Sequence, residues 1–303
     1  MGRIGRGPLK GEKSGYKPAD TTIVVLCCVP HFNNYYEERF EILKYNIASL
    51  LMHSGDNYDL LVIDNNSHAK VVDFLNRLKD KGHIDHLILN SKNIGLSGAL
   101  NIAYFAAQGT YIAFSNDDIF FHPGWLDKHL EVIKTFPKIG LVSGQTAAGQ
   151  DRQDEITKLT EHHDISCRNF KIPIDWIQQF TKSIGLTAEK WLENKRVNQN
   201  RDTYLMQRGN VKAFSGKTGY SYVFKKSILN EIPSFPFETG MCAGDSTDRK
   251  FALAIRDAGY YWLTTFEKTT EHMGNYLEPE WYEKFEKYHI TEYLRNLEEN
   301  IKS

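Results

Sequence analysis

Only four cysteines occur in 303 residues, and none sits in a Cys-x-x-Cys pair or at a Cys/His spacing of the zinc-binding kind. Cys27 and Cys28 are adjacent within an apolar run, so in a strand they face opposite ways. This usage points to a reduced, cytoplasmic protein. Long hydrophobic runs are also lacking. None approaches the ~20 residues of a membrane span, which leaves peripheral contact as the way this chain would work at a membrane. Neither sign of charge prevails: 37 basic residues face 38 acidic ones, for a net charge of -1. Without a broad cationic field, a general nucleic-acid binder is excluded. The N-terminal MGRIGRGPLKGEKSGYKPAD lacks the apolar stretch of a signal peptide and has Arg6 where a myristoylation pattern needs Ser or Thr. Residues 1–20 read as a disordered basic tail.

What is present suits a globular protein: 41% hydrophobic and 25% charged residues, in a chain long enough to bury a core. Residues 22–29 (TIVVLCCV) form a continuous apolar run, as in a strand buried on both faces. Phe40, Leu43, Ile47, Leu50 and Leu51 follow at helical spacing. Further strands are predicted at 58–63, 84–89, 111–114, 139–143, 220–224 and 260–264, with helical patterns between most of them. Such alternation predicts an α/β fold with a mostly parallel central sheet flanked by helices, and ligands bound beyond the carboxyl ends of its strands. Residues 145–212 break the pattern and predict a polar, helical insertion, with helical pieces around 154–160, 173–182 and 187–195. The segment from 281 to 303, with Phe285, Tyr288 and Tyr293, predicts a C-terminal helical extension.

The strand ends carry the polar chemistry. The first closes on Pro30-His31-Phe32-Asn33 and the second on Asp64-Asn65-Asn66-Ser67, groups able to bond a nucleobase and ribose, or simply to make turns. The fourth closes on Ser115-Asn116-Asp117-Asp118. Adjacent carboxylates repel, and a site that holds both recruits a cation; hard oxygen ligands suit Mn²⁺ or Mg²⁺. A helix cap ahead of Pro123-Gly124-Trp125 is the structural alternative.

The succession IVVLCCVPHFNN, LLVIDNNS, NIGLSGALN, YIAFSNDDIFFHPGWL, GYSYVFKKSIL and DRKFALAIRDAGY resembles the inverting family 2 glycosyltransferases of GT-A fold, across about residues 21–275. The resemblance implies a GT-A domain over 21–280, with the 145–212 insertion on the acceptor side. It implies transfer of a sugar from a nucleoside-diphosphate sugar, UDP-sugar favoured, to a hydroxyl of a carbohydrate or glycoconjugate. Pro30, Asn33, Asp64, Asn93, Gly95, Asn101 and Asp117 would then line the nucleotide, and Asp118 with His272 would hold Mn²⁺ or Mg²⁺. The family's Glu-Asp-x-Asp base motif is degraded here. Asp248 falls on its first Asp, while Thr247 and Lys250 replace the two other acids, and Asp245 is the alternative base.

Two other classes share parts of the pattern. A sugar-1-phosphate nucleotidyltransferase carries a Gly-rich loop after its first strand, where this chain has Val29-Pro30-His31-Phe32-Asn33. A Rossmann oxidoreductase needs a Gly-x-Gly-x-x-Gly turn there, which is also absent. A nucleotide- or carbohydrate-binding protein on a decayed transferase scaffold stays open, because Thr247 and Lys250 weaken the base motif.

Overall fold

The computed structural model describes residues 15–146, 160–161, 164–193, 201–216, 220–232 and 245–302, side chains of 245–249 excepted. Its strands are β1 (Thr21–Cys27), β2 (Asp59–Asp64), β3 (His86–Leu89), β4 (Tyr111–Asn116), β5 (Ile119–Phe121), β6 (Ile139–Ser143), β7 (Ile165–Lys171), β8 (Asp202–Arg208), β9 (Val211–Ser215), β10 (Ser221–Lys225), β11 (Tyr261–Thr265) and β12 (Thr270–His272). The helices are α1 (Arg39–His53), α2 (Ala69–Asp80), α3 (Gly95–Ala106), α4 (Trp125–Thr135), α5 (Ile174–Ser183), α6 (Ala188–Leu192), α7 (Asp245–Asp257), α8 (Pro279–Lys287) and α9 (Ile290–Lys302). Ten strands form one sheet in the order β3-β2-β1-β4-β10-β6-β11-β9-β8-β7, and β5 pairs with β12 in a separate two-stranded sheet. β1 is parallel to β2 and β4, and β2 to β3, while β10 runs against its neighbours. The expected architecture is present, a mostly parallel sheet flanked by helices.

The continuous apolar run of β1 follows from its place between two cores. Ile23, Val25 and Cys27 pack with α1, α2 and α4 on one face, while Val24 and Leu26 pack with α3 and α7 on the other. Register aligns the strand ends, Cys27 opposite Asp64 and Leu26 opposite Asn116. The polar residues after β1, β2 and β4 therefore emerge at one rim.

Two expectations change. Within 145–212, helices α5 and α6 match the predicted helical pieces, but β7, β8 and β9 were not foreseen. They extend the main sheet as an antiparallel edge. Their alternation is blurred because β7 is largely exposed. The predicted helical piece at 154–160 lies almost wholly outside the described residues. The tail expected over 1–20 is tied down from Tyr16 onward. The Tyr16 hydroxyl donates to Asp59 Oδ2 at 2.7 Å, and the Ala19 amide donates to the same oxygen at 3.0 Å. At the C-terminus, α8 and α9 pack on α1, with Phe285 stacked on Tyr45 at 3.8 Å. Among the described residues, no helix is long and apolar enough to cross a membrane.

His129 on α4 is fully buried. Its Nδ1–H donates to the Trp125 carbonyl at 2.7 Å, and its Nε2 has no partner. Burial lowers its pKa to about 4, the carbonyl bond offsetting part of the effect. In the unfolded chain the same ring takes its proton near pH ~6.5. Between these values the unfolded state binds more protons, so stability is complete above ~6.5 and declines as the pH falls towards 4. Chemical denaturation of wild type across this window should reveal a loss on the order of 3 kcal/mol that His129→Leu diminishes. An identical acid limb in the variant would assign that loss to other groups.

Candidate functional site

β4 leads straight into the carboxylate pair. Asp117 and Asp118 turn the chain from β4 into β5, and both are buried, at 4% and 6% exposure. β12 pairs antiparallel with β5 so that His272 lies opposite Ile119, and the Met273 amide donates to the Asp118 carbonyl at 2.8 Å. Backbone pairing thus sets His272 beside Asp118 across more than 150 residues of sequence, with His272 Nε2 3.2 Å from Asp118 Oδ2.

The tautomer of His272 follows from its other nitrogen. Nδ1 lies 2.7 Å from Ser183 Oγ on α5, and the Ser183 hydroxyl donates its own proton to the Phe180 carbonyl at 2.6 Å. Ser183 Oγ therefore accepts from Nδ1–H, and Nε2 is the ring nitrogen that faces Asp118. A carboxylate oxygen and an imidazole nitrogen 3.2 Å apart can share a proton or a metal cation. Asp118 Oδ1 is also buried without a hydrogen-bond partner. A carboxylate and an imidazole whose other nitrogen is held by the Ser183 hydroxyl form a donor set that fits Mn²⁺ or Mg²⁺, with the remaining positions left to phosphate and water. Among the described residues, no group of three or more His, Cys, Asp or Glu side chains is gathered for a metal.

The pair already has one cation. Arg39, at the first turn of α1 and 6% exposed, reaches Asp117 with one guanidinium nitrogen and Asp118 with the other. Its NH1 also lies 3.3 Å from the Gly274 carbonyl and 3.4 Å from Asn275 Oδ1. Asp117 Oδ2 accepts from the Cys28 amide at 3.2 Å, which ties the pair to the end of β1. The two acids are pushed apart. Burial raises the pKa of Asp117, and Asp118 adds to the rise, while Arg39 opposes it. For Asp118, burial also works upward, but His272 and Arg39 outweigh it and hold the carboxyl well below the usual range. Nothing in the α1 pattern singled out Arg39, since an Arg at a helix start reads as a solvated surface charge.

The nucleotide-side candidates gather on the same rim, with differing surroundings. Asp64 is 1% exposed; its Oδ2 accepts from the Ser67 amide at 3.0 Å, and its Oδ1 is buried with no partner. Asn65, one of the strand-end groups able to bond a nucleotide or make a turn, stitches the loops together. Its amide donates to Asn93 Oδ1 at 2.9 Å, and its own oxygen accepts from the Ile94 amide at 3.0 Å. Asn93 Oδ1 also accepts from the Gly95 amide at 2.8 Å, which fixes the start of α3, where Gly95 holds φ +78°. Pro30 and Asn101 are half-buried, and Asn33 is exposed ahead of a single 3-10 turn. Asp245 and Asp248 fall in the first turn of α7, but their side chains lie outside the described residues.

The strand that carries His272 is pinned on its opposite side by Glu271. This carboxylate, only 1% exposed, takes bonds from His122 Nε2 at 2.6 Å and Lys284 Nζ at 2.6 Å, and pairs with Lys268 at 3.1 Å. Burial works against its ionisation, but the His122 bond and the two lysines hold its pKa well below the usual range. Trp176 and Trp281 are buried packing residues, while Tyr282 is 47% exposed.

Similarity to known proteins runs in the same direction. The model of "Glycosyl transferase family 2" matches residues 27–229. An uncharacterized glycosyltransferase of Haemophilus influenzae is 35% identical over 88 residues, 29% of this chain and 35% of the relative. Another, from Nostoc sp., is 21% identical over 206 residues, 68% of this chain and 52% of the relative. The chain thus spans about half or less of the length of these relatives. Among solved structures, a Pyrobaculum calidifontis mannosyltransferase in complex with GDP-Man and Mn²⁺ is similar at TM-score 0.47 and 14% identity, over 83% of this chain and 56% of that one. TarS 1–349 of S. aureus is similar at TM-score 0.48 and 12% identity, over 84% and 60%. With the family model matched over well more than half of its length, the chain belongs to glycosyl transferase family 2.

Proposed function

We propose that this protein transfers a sugar, with inversion, from a nucleoside-diphosphate sugar to an acceptor hydroxyl, in a site that uses a divalent cation. The observation that carries the reading is the buried Asp117–Asp118 pair at the rim of the sheet, with His272 Nε2 3.2 Å from Asp118 Oδ2. Breaking the bond to a diphosphate builds negative charge on the leaving oxygen, and a bound Mn²⁺ or Mg²⁺ supplies Lewis-acid neutralisation of that charge. Asp118 and His272 would hold the ion, and Asp117 would stay near the ribose. The partnerless Asp64 Oδ1 is an acceptor that the imide N–H of a uracil base would satisfy, which together with the family pattern favours a UDP-sugar.

A poor nucleophile such as an acceptor hydroxyl needs its proton removed as attack proceeds. Asp248 is assigned as that base, with Asp245 as the alternative. α7 runs back towards the amino end of β6, where Ile255 crowds Gly140, so its first turn lies on the carboxyl-end side of the sheet. Acceptor binding is assigned to the 145–212 segment because α5 touches the site directly. Besides the Ser183 contact, Gln179 donates to the His272 carbonyl at 2.8 Å.

Thermal shift with UDP, GDP, dTDP and CDP, each with Mn²⁺, Mg²⁺ or EDTA, tests the reading. One nucleotide should stabilise wild type only with metal, by about 2.7 kcal/mol at a hundredfold excess over Kd, and Asp118→Asn should abolish the response. No response to any nucleotide under any metal would remove the nucleotide-sugar reading of this site.

A further inference from the structure

Asp118 Oδ2 faces two groups at once: the Arg39 guanidinium, and His272 Nε2 3.2 Å away. A divalent ion ligated by Asp118 and His272 would draw on the carboxylate whose charge Arg39 already compensates. Two cations this close repel strongly, the more so in a buried site of low effective dielectric. Arg39 also has a second set of acceptors within reach. The Gly274 carbonyl at 3.3 Å and Asn275 Oδ1 at 3.4 Å lie at the long end of hydrogen bonding and would shorten if the guanidinium moved towards them.

We infer that Arg39 is a built-in competitor for the metal position. Its guanidinium exchanges Asp118 for Gly274 and Asn275 when a divalent ion enters, and the diphosphate that arrives with the ion offsets the added positive charge. The protein alone therefore takes the ion weakly, and nucleotide and ion enter together. This rests on the divalent-cation reading above and adds to it the residue that couples the two ligands. Arg39 sits on α1 at the start of a helix that otherwise braces β5, so one side chain links the carboxylates to the 274–275 loop.

Mn²⁺ titration of the full chain, followed by electron paramagnetic resonance of the free ion, tests the exchange in wild type, Arg39→Met and Arg39→Lys. Without nucleotide, Arg39→Met should bind Mn²⁺ at least about tenfold more tightly than wild type, with Arg39→Lys between them. Saturating UDP should tighten Mn²⁺ binding in wild type by a larger factor than in Arg39→Met. If wild type binds Mn²⁺ with UDP but Arg39→Met shows no gain without it, the exchange is wrong and the cation site stands. If no variant binds Mn²⁺ with any nucleoside diphosphate, the cation reading and the exchange fall together. Should Arg39→Met fail to fold, Arg39→Lys, which keeps the charge and loses the fork, carries the test; Mn²⁺ affinity equal to wild type in that variant overturns the exchange.

Discussion

Asp248→Asn is expected to lower kcat for transfer by about 10²–10⁴, the usual contribution of a general base, while the metal-dependent nucleotide response survives. Donor hydrolysis and transfer to added acceptors, measured beside the thermal shift, separate the two effects. Asp245→Asn should leave kcat within a few-fold of wild type; the opposite pattern would move the base by one helical turn. If wild type binds nucleotide but turns nothing over, Thr247 and Lys250 mark a real loss of the base motif, and the protein is a binder on a transferase scaffold. Asp248→Asn discriminates here because it leaves the Asp117–Asp118–His272 cluster untouched.

Gly274→Ala is expected to cost about 2–5 kcal/mol and to lower the melting temperature by roughly 5–15 °C. Gly274 holds φ +84°, and an added Cβ would stand 2.3 Å from the Ser183 carbonyl oxygen, a backbone atom that cannot swing aside. Relief requires α5 to separate from the 272–274 segment, and that movement would take Ser183 from His272 Nδ1. The variant should therefore lose the metal-dependent nucleotide response even below its melting temperature. A variant with wild-type melting and an intact response would show that the 274 loop is looser than its packing implies. The crowding at this glycine explains why the short His272-Met273-Gly274 stretch ends as it does.

Most of the fold was legible because the strands that matter are buried on both faces and read as unbroken apolar runs. β7 was not, since Ser166 and Arg168 on one face and Asn169 and Lys171 on the other are all exposed, which leaves no clear alternation. In the site, motif order singles out Asp117, Asp118 and His272, and the proximity of His272 to Asp118 follows from the β5–β12 pairing. Arg39 was not legible. Its value comes from being buried at a helix start and facing two acids some 80 residues away, which no local pattern records. Asn65 was hidden in a different way: its neighbours Asp64 and Ser67 account for the turn, and its bonds to the 93–95 loop depend on the β2–β3 register.

Helix α1 was read as amphipathic through Phe40, Leu43 and Ile47, yet its polar residues at 46, 49 and 53 also face inward. Asn46 donates to the Ile119 carbonyl at 2.7 Å, Ser49 Oγ accepts from the Phe121 amide at 3.3 Å, and His53 Nδ1 meets the Phe121 carbonyl at 2.6 Å. These are the bonds a neighbouring strand would make. β5 has β12 along one edge and a ladder of side chains along the other, so a three-residue strand is zipped on both sides and offers no free edge to another chain. The spacing of 46, 49 and 53 also spells out the phase of the strand. One inserted residue between Asp118 and Phe121 would put helix, strand and C-terminal segment out of step together, and no adjustment of a single partner would restore the match.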